Sequence, residues 1–148
     1  MADVVSPEVR SRMMSWIRAK DTKPELMMRS ALHRLGFRYR LHLCDLPGRP
    51  DLAFPMHRAV LFVHGCFWHG HSCSYFKMPS TRQDFWEAKI DRNRAVDARN
   101  MEALTAEGWR VGVVWECATR GKLADIDVVA ARLAEWLTGK AATIEIRQ

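Results

Sequence analysis

Residues 61–73, with the sequence LFVHGCFWHGHSC, contain three histidines, two cysteines and a Phe-Trp pair. Histidine and cysteine are the usual ligands of zinc, and neutral histidine can also act as a general base. The faces of aromatic rings can stack on nucleic-acid bases. Folding alone does not require this combination of side chains in so short a segment. The segment is therefore predicted to form the centre of a functional site.

A zinc site is predicted from four cysteine and histidine residues. Cys66, His71 and Cys73 have the spacing Cys-x4-His-x-Cys, and Cys117 directly follows a predicted strand. Structural zinc sites have four sulfur and nitrogen ligands in a tetrahedron, and three cysteines with one histidine are a standard set. A ligand from a distant strand would tie the loop to the rest of the domain. The alternative is three buried free thiols beside a surface histidine.

Two further histidines of the segment, His64 and His69, are not needed by this tetrahedron. Imidazole that is neutral near pH 7 can accept a proton from water, so either residue could serve as a general base. His69 lies two residues from a predicted zinc ligand, which would fix its position. For either histidine taken alone, a structural role is the more common explanation.

A magnesium site is predicted where Asp51 begins one strand and Val63 ends the next. Mg²⁺ prefers oxygen ligands and retains water molecules, one of which can attack a phosphodiester. Many nucleases have an acidic-x-Lys element on the second strand, and this chain has none there. The Val63 carbonyl could replace the missing carboxylate, and a histidine the lysine. Glu25 could help to hold a water molecule on the ion, although its spacing from Thr22 favours a capping box.

The elements that position these residues follow from hydrophobic periodicity and from glycine and proline. Apolar spacing in the first helix predicts an inward face that contains Leu26, Arg29, Ala31, Leu32 and Leu35. Helices and strands in this order predict a three-layer α/β domain with a central mixed β-sheet. The predicted elements are a helix over 22–36, a strand over 37–43, a turn over 46–50, strands over 51–54 and 59–63, a loop over 64–82, a helix over 83–107, a strand over 109–115 and a helix over 123–137.

Composition limits the class of protein. The 148 residues are enough for one domain with a core, and a net charge of +6 suits a polyanion such as nucleic acid. No apolar segment approaches the roughly 20 residues that span a bilayer, and no signal peptide is recognisable. We therefore predict no membrane partner and a bacterial cytoplasmic location, with nucleoid association on DNA. Disulfides are rare in that compartment, so the four cysteines are predicted to be thiols or metal ligands.

Five motifs occur in the order and spacing of the very-short-patch repair endonucleases: PGRPD, HGCFWHGHSC, FKMPSTR, FWEAKI followed by Asn93, and GWRVGVVWEC. Over roughly residues 7–138 the chain resembles this family. The resemblance implies a restriction-endonuclease-like fold and a Mg²⁺-dependent endodeoxyribonuclease. It also implies a substrate, double-stranded DNA with a T:G mismatch formed by deamination of 5-methylcytosine, which is nicked on the 5′ side of the thymine.

The resemblance implies a role for each residue of the cutting site. Asp51 would bind Mg²⁺, and Val63, where many relatives have threonine, would offer its backbone carbonyl to the ion. His69 would activate the attacking water, and His64 would support the region of the phosphate and the metal. Glu25 would contact a water on the metal. The structural Zn²⁺ would be held by Cys66, His71, Cys73 and Cys117.

DNA contacts are implied for the predicted 64–82 loop and for the long helix that follows it. Aromatic rings would enter between base pairs beside the mismatch, because a wobble pair stacks less well and costs less to separate. The alternative is that these rings belong to the core. An N-terminal arm over 1–21 would contact DNA, followed by an endonuclease domain over 22–138 and a flexible tail over 139–148. The residues assigned to DNA binding are Phe67, Trp68, Trp86, Lys89, Arg82 and Asn93.

Three other functions are consistent with parts of the sequence. The first is a zinc-stapled DNA-binding module without catalysis, and the second is a nuclease of another DNA specificity on the same scaffold. The third is a redox or zinc sensor, which would have no affinity for DNA. For the mismatch nickase we also expect contact with general mismatch-repair proteins and a monomeric state.

Overall fold

The computed structural model describes residues 22–121 and 124–148. The predicted N-terminal arm over 1–21 lies outside these residues. Within the described part of the chain, no helix is both long enough and apolar enough to cross a membrane. The helices are α1 (Lys23–Arg34), α2 (Gln83–Ala106) and α3 (Ile126–Thr138), and the strands are β1 (Arg40–Leu41), β2 (Leu52–Phe54), β3 (Ala59–His64), β4 (Arg110–Trp115) and β5 (Thr143–Ile146).

The five strands form one mixed sheet in the spatial order β1-β2-β3-β4-β5. The first three strands pair antiparallel, and β3, β4 and β5 pair parallel. The predicted α/β class with a central mixed sheet is therefore confirmed. Since β3 and β4 are parallel, the residues that follow them, Gly65 and Glu116, emerge at the same edge of the sheet.

Apolar side chains on both faces of the sheet make the core. Leu61 of β3 packs on one face with Leu32 of α1 and Leu133 of α3. Phe62, the next residue, packs on the other face with Leu104 of α2. Neighbouring residues of a strand point to opposite faces, so a strand covered on both sides is apolar throughout. The sheet thus lies between α1 and α3 on one side and α2 on the other.

The buried face of α1 differs from the predicted one. Leu26 and Leu35 are about half exposed, whereas Glu25 and Met28 are buried beside Leu32. The helix is rotated so that a carboxylate, rather than a leucine, faces the interior. Burial of an unpaired carboxylate is costly, so Glu25 must have polar partners.

The strand predicted over 37–43 is limited to Arg40–Leu41. His42 has a left-handed backbone with a φ of 49°, and this conformation is incompatible with an extended strand. At the other end of the chain, the tail predicted to be flexible contains β5, which pairs with the free edge of β4 and buries Ile146. Four residues with two isoleucines are too short a pattern to identify without the neighbouring strand.

Candidate active site and metal centres

A cleft with a volume of about 1110 Å³ lies where β3 and β4 end. Asp51 reaches the same place because it precedes β2, which runs antiparallel to β3. The first turn of α1 adds Glu25, and α2 adds Asn93 and Asp97. Five elements, β2, β3, β4, α1 and α2, thus bring residues that are far apart in sequence into one cavity. The cleft is also lined by Val63, His64, Phe67, Trp68 and His69.

Glu25 and Asp51, called the acid pair below, place two carboxylates side by side. The backbone N–H of Val63 donates to Asp51 Oδ2 at 2.7 Å, and Glu25 is 1% exposed. Burial, followed by a hydrogen bond with Glu25, raises the pKa of Asp51 to about 8. At neutral pH Asp51 therefore keeps its proton, which relieves the repulsion between two carboxylates in contact. A divalent cation could take the place of that proton.

The contacts of Glu25 differ from those of a capping residue. Thr22 makes no side-chain hydrogen bond as N-cap of α1, so the capping-box interpretation is wrong. Instead, Arg29 Nη2 donates to Glu25 Oε2 at 2.8 Å. Oxygen atoms of Glu25 and Asp51 and a ring nitrogen of His42 lie within 4.8 Å of one another. The oxygen atoms and negative charge of the two carboxylates fit a hard divalent cation such as Mg²⁺.

His64 and His69, called the histidine pair below, stack face to face with ring centroids 3.8 Å apart. His69 Nδ1 lies 2.5 Å from Asp97 Oδ2. Asp97 therefore holds a proton on Nδ1 and leaves Nε2 of the neutral ring as the basic nitrogen. Burial, with a smaller contribution from His69, lowers the pKa of His64 to about 3. His64 is thus neutral across the physiological range, and only His69 is set up to exchange a proton.

Helix α2 fixes the loop that carries His69. Asn93 Nδ2 donates to the Trp68 carbonyl at 2.7 Å, and Asp97, one turn further along, binds His69. Arg94 donates to the Gly70 carbonyl between these two contacts. Residues four apart lie on the same side of a helix, so one helical face holds successive loop residues. Sequence reasoning missed Asp97, and its spacing of four from Asn93 was the signal that could have identified it.

The four predicted zinc ligands converge. Ligand atoms of Cys66, His71, Cys73 and Cys117 all lie within 4.8 Å of one another, and Cys117 Sγ is 3.6 Å from His71 Nδ1. In a zinc tetrahedron, ligand atoms of this kind are about 3.5–3.8 Å apart, given bonds of about 2.0–2.3 Å to the metal. Cys44, the remaining cysteine, is exposed. The donor set and its spacing fit Zn²⁺, with Nδ1 as the histidine ligand.

The electrostatics of this cluster are those of a site built around a cation. Burial raises the pKa of the Cys66 thiol. Burial acts in the same direction on Cys73, but hydrogen bonds from the backbone of Tyr75 and from neighbouring thiols lower its pKa overall. Burial also lowers the pKa of His71, which keeps its imidazole neutral as a ligand must be. A metal ion would convert the thiols to thiolates and so reverse the shift at Cys66.

Five aromatic rings beside the cleft pack on one another rather than in either core cluster. Phe67 contacts Trp68, Phe76 and Trp86, with centroid separations of 5.1, 5.9 and 5.4 Å. Phe85 extends the group through Trp86. Phe67, Trp68 and Trp86 are half-buried, so part of each residue is accessible to solvent. The alternative that these rings are core residues does not agree with this exposure.

Cations border the aromatic rings. Lys89 Nζ lies 5.9 Å from the Trp68 ring, and the Arg82 guanidinium lies 4.5 Å from Phe85. A cation and the face of an aromatic ring attract each other, and the cation can still expose its charge to solvent. The predicted DNA-binding residues therefore form one surface of alternating rings and positive charge. Asn93 differs from the others because its amide is engaged by the loop backbone.

Comparison with known proteins identifies the family. The sequence profile described as DNA mismatch endonuclease Vsr matches residues 2–75. The chain is 45% identical to the DNA mismatch endonuclease Vsr of Escherichia coli over 148 residues, which covers 99% of this chain and 94% of that protein. The chain belongs to the Vsr family.

Two other relatives of this Vsr-family chain are named type II nicking enzymes. V.XorIIP of Xanthomonas oryzae is 53% identical over 137 residues, which covers 93% of this chain and 98% of that protein. V.NmeAIP of Neisseria meningitidis is 41% identical over 122 residues, which covers 82% of this chain and 87% of that protein. These names agree with a hydrolytic DNA endonuclease.

The structure of this Vsr-family chain brings all the predicted site residues to one edge of the sheet, in three groups. The acid pair and the histidine pair line the cleft, the four zinc ligands lie behind it, and the aromatic surface lies beside it. Besides Asp97, sequence reasoning missed Arg29 and His42, which contact Glu25. Arg29 lies four residues after Glu25 on a helix, but neither residue belongs to a motif that suggests chemistry.

Proposed function

We propose that this Vsr-family DNA endonuclease nicks double-stranded DNA on the 5′ side of the thymine in a T:G mismatch. The observation that carries the proposal is that one cleft contains both the acid pair and the His69–Asp97 contact. A buried pair of carboxylates favours a divalent cation, and an oriented histidine favours proton abstraction. Both are requirements of metal-assisted phosphodiester hydrolysis.

Mg²⁺ would be held by Asp51, by the Val63 carbonyl and, through water, by Glu25. Val63 N–H donates to Asp51, and the N–H and C=O of one strand residue point to the same side. The carbonyl therefore faces the same side as Asp51, and the side chain of Val63 takes no part. When bound, the ion would polarise the scissile phosphate and neutralise the charge that develops on it.

His69 would take the proton of the attacking water on Nε2. Asp97 keeps the other ring nitrogen protonated and stabilises the positive charge that the ring then acquires. His64 stays neutral beside it, so the histidine pair never carries two charges. The Nδ1 of His64 is buried and has no hydrogen-bond partner among the described residues.

Recognition would fall to the aromatic surface. Phe67, Trp68 and Trp86 would enter between base pairs and replace lost stacking, which contributes about 1–3 kcal/mol per base. Lys89 and Arg82 would contact phosphates or bases at the rim. Asn93 would act mainly by holding Trp68 in place.

Zn²⁺ in the four-ligand cluster would have a structural role. The 65–82 loop has no core of its own, and Cys117 would connect it to the end of β4. Such a connection would keep the rings and His69 in a fixed relation to the acid pair. The restriction-endonuclease-like fold, the monomeric state and contact with mismatch-repair proteins stay predictions.

The test is strand-specific nicking of a duplex panel. T:G duplexes with varied flanking bases and matched T:A duplexes are incubated with the protein, with and without Mg²⁺. We expect one nick, 5′ to the mismatched thymine, that requires Mg²⁺ and is absent in Asp51→Ala. Binding without nicking would favour a DNA-binding module, and equal nicking of matched duplexes would favour a nuclease of another specificity.

A further inference from the structure

We infer that Arg29 and His42 are positioning residues that fix the carboxylate of Glu25 for the cation site. The inference deepens the proposed magnesium site and rests on it. Both residues lie outside the motifs that carry the family resemblance, and both are largely buried, with side-chain exposures of 14% and 18%.

Arg29 forms the centre of the arrangement. Its Nη2 lies 2.8 Å from Glu25 Oε2 and 2.9 Å from His42 Nε2. Two contacts to one guanidinium nitrogen fix the plane of that group, because its donors have a rigid geometry. The carboxylate of Glu25 is thereby held through one oxygen, and the rest of the group is directed toward Asp51.

The contact between the two residues determines the tautomer of His42. Arginine can only donate, so His42 Nε2 must accept and the ring proton must be on Nδ1. The His42 ring therefore orients the Arg29 guanidinium by accepting its hydrogen bond. Lysine in place of arginine would keep the charge but would lose the fixed planar geometry.

The backbone of His42 attaches this residue to Asp51. Its φ of 49° is a left-handed conformation that glycine or asparagine adopts more readily. Its N–H donates to the Asp51 carbonyl at 3.3 Å, which attaches it to the strand that carries the metal-binding aspartate. Strained conformations of this kind persist where the surrounding structure imposes them, often beside reacting groups.

Charge gives the arrangement its second effect. The Arg29 guanidinium lies 2.8 Å from Glu25 and places a positive charge beside the acid pair. One guanidinium beside two carboxylates neutralises part of the buried negative charge. The negative charge that remains can still bind a divalent cation. Arg29 thus keeps the acid pair in position and limits its repulsion before the cation binds.

The experiment separates positioning from folding. His42→Gly removes the imidazole ring and relieves the strain of the left-handed backbone. Arg29→Lys keeps the positive charge but loses the planar guanidinium geometry. We expect each zinc-loaded variant to lose about tenfold or more in nicking rate at saturating T:G DNA. His42→Gly should have an unchanged or higher Tm. The matched control is Arg58→Gly, which has the same left-handed backbone and does not line the cleft.

Three further tests are sensitive to position. Without DNA, binding of Mn²⁺, followed by the EPR signal of the free ion, should be weaker in both variants than in the wild type. The double variant should be no worse than the worse single one, because both residues act through Glu25. His42→Gln, whose side-chain carbonyl can accept from Arg29, should recover part of the rate.

The outcomes distinguish the inference from the function on which it rests. If Mn²⁺ binding requires Asp51 but His42→Gly binds and nicks like the wild type, the inference is overturned and the proposed function stands. A rate loss that only follows a fall in Tm would also overturn it. If the wild type binds no Mn²⁺, or Asp51→Ala binds it equally well, the magnesium site is wrong and the inference falls with it.

Discussion

The carboxylate of Asp97 lies 2.5 Å from Nδ1 of His69, on the side of the ring opposite Nε2. The two residues come from different elements, a long helix and the loop that precedes it. A carboxylate in this position fixes the histidine tautomer and supports the charge that proton transfer creates. The pair is therefore the proposed base of the reaction.

Asp97→Asn should lower the nicking rate by roughly 10²–10⁴-fold, because the amide can hold the ring in the wrong tautomer and cannot support a charged imidazole. DNA affinity at one fixed salt concentration should change little. The measurement is single-turnover nicking of a T:G duplex. Asp91→Asn, an exposed change on the same helix, is the control, and similar rates in the two variants would refute the role of Asp97.

Metal-free stability should depend on the ionisation of Asp51. Burial and Glu25 raise its pKa from an ordinary 3.8 to about 8. Below the lower pKa, Asp51 is protonated in both the folded and the unfolded protein. Between the two pKa values, Asp51 is protonated only in the folded protein. Unfolding free energy should therefore fall as pH rises from about 4 to 8. Titration by chemical denaturation of zinc-loaded, magnesium-free protein measures this dependence.

Asp51→Asn is the matched variant for this effect. It removes the ionisable group, so it should be close to the wild type near pH 4 and more stable by roughly 2–4 kcal/mol at pH 8. The same variant should not nick DNA. An identical pH profile in both proteins would show that Asp51 is not the group responsible.

The zinc assignment predicts the effect of losing one ligand. Cys117→Ser should lower the zinc content of the purified protein from one ion per chain and lower its Tm, because the loop loses its tie to β4. Elemental analysis and thermal unfolding measure both quantities. Cys44→Ser, which alters an exposed cysteine outside the cluster, should leave both unchanged. Full zinc occupancy in Cys117→Ser would exclude the tetrahedron.

Trp68→Ala should reduce discrimination between T:G and matched duplexes more than it reduces general DNA affinity. The ring is half-exposed and would replace base stacking, a contribution of about 1–3 kcal/mol. Competition binding with mismatched and matched duplexes measures both the discrimination and the general DNA affinity. Electrostatic affinity varies with salt, so both are compared at one ionic strength. An equal loss of affinity for both duplexes would argue against insertion of the Trp68 ring between base pairs.

The layered fold and most element positions could be predicted because β3, β4 and the helices have clear apolar periodicity. The rotation of α1 could not, since its pattern favoured Leu26 and Leu35 inside, whereas Glu25 is the buried residue. The tertiary contacts of a buried carboxylate here override local hydrophobic preference. The strand β5 escaped prediction because its pairing depends on an edge that only the folded sheet provides.

The site was predictable where chemistry is concentrated in sequence. Three of the four proposed zinc ligands and the histidine pair belong to one short segment, and motif spacing identified them. Asp97, Arg29 and His42 contact that site from ordinary-looking elements, two of them helices, and their side chains are common surface types. Their roles arise from tertiary contacts, and the sequence offered only weak signals for them, such as the spacing of four between Asn93 and Asp97.

Trp68 and His69 are consecutive residues held by Asn93 and Asp97 of one helical turn. In the proposed reaction, the residue that senses a weak base pair and the residue that starts the cut cannot move independently. If a duplex does not admit the Trp68 ring, His69 would therefore also be displaced from the attacking water. Substrate checking and bond breakage would share a single mechanical support, and fidelity would need no separate proofreading step.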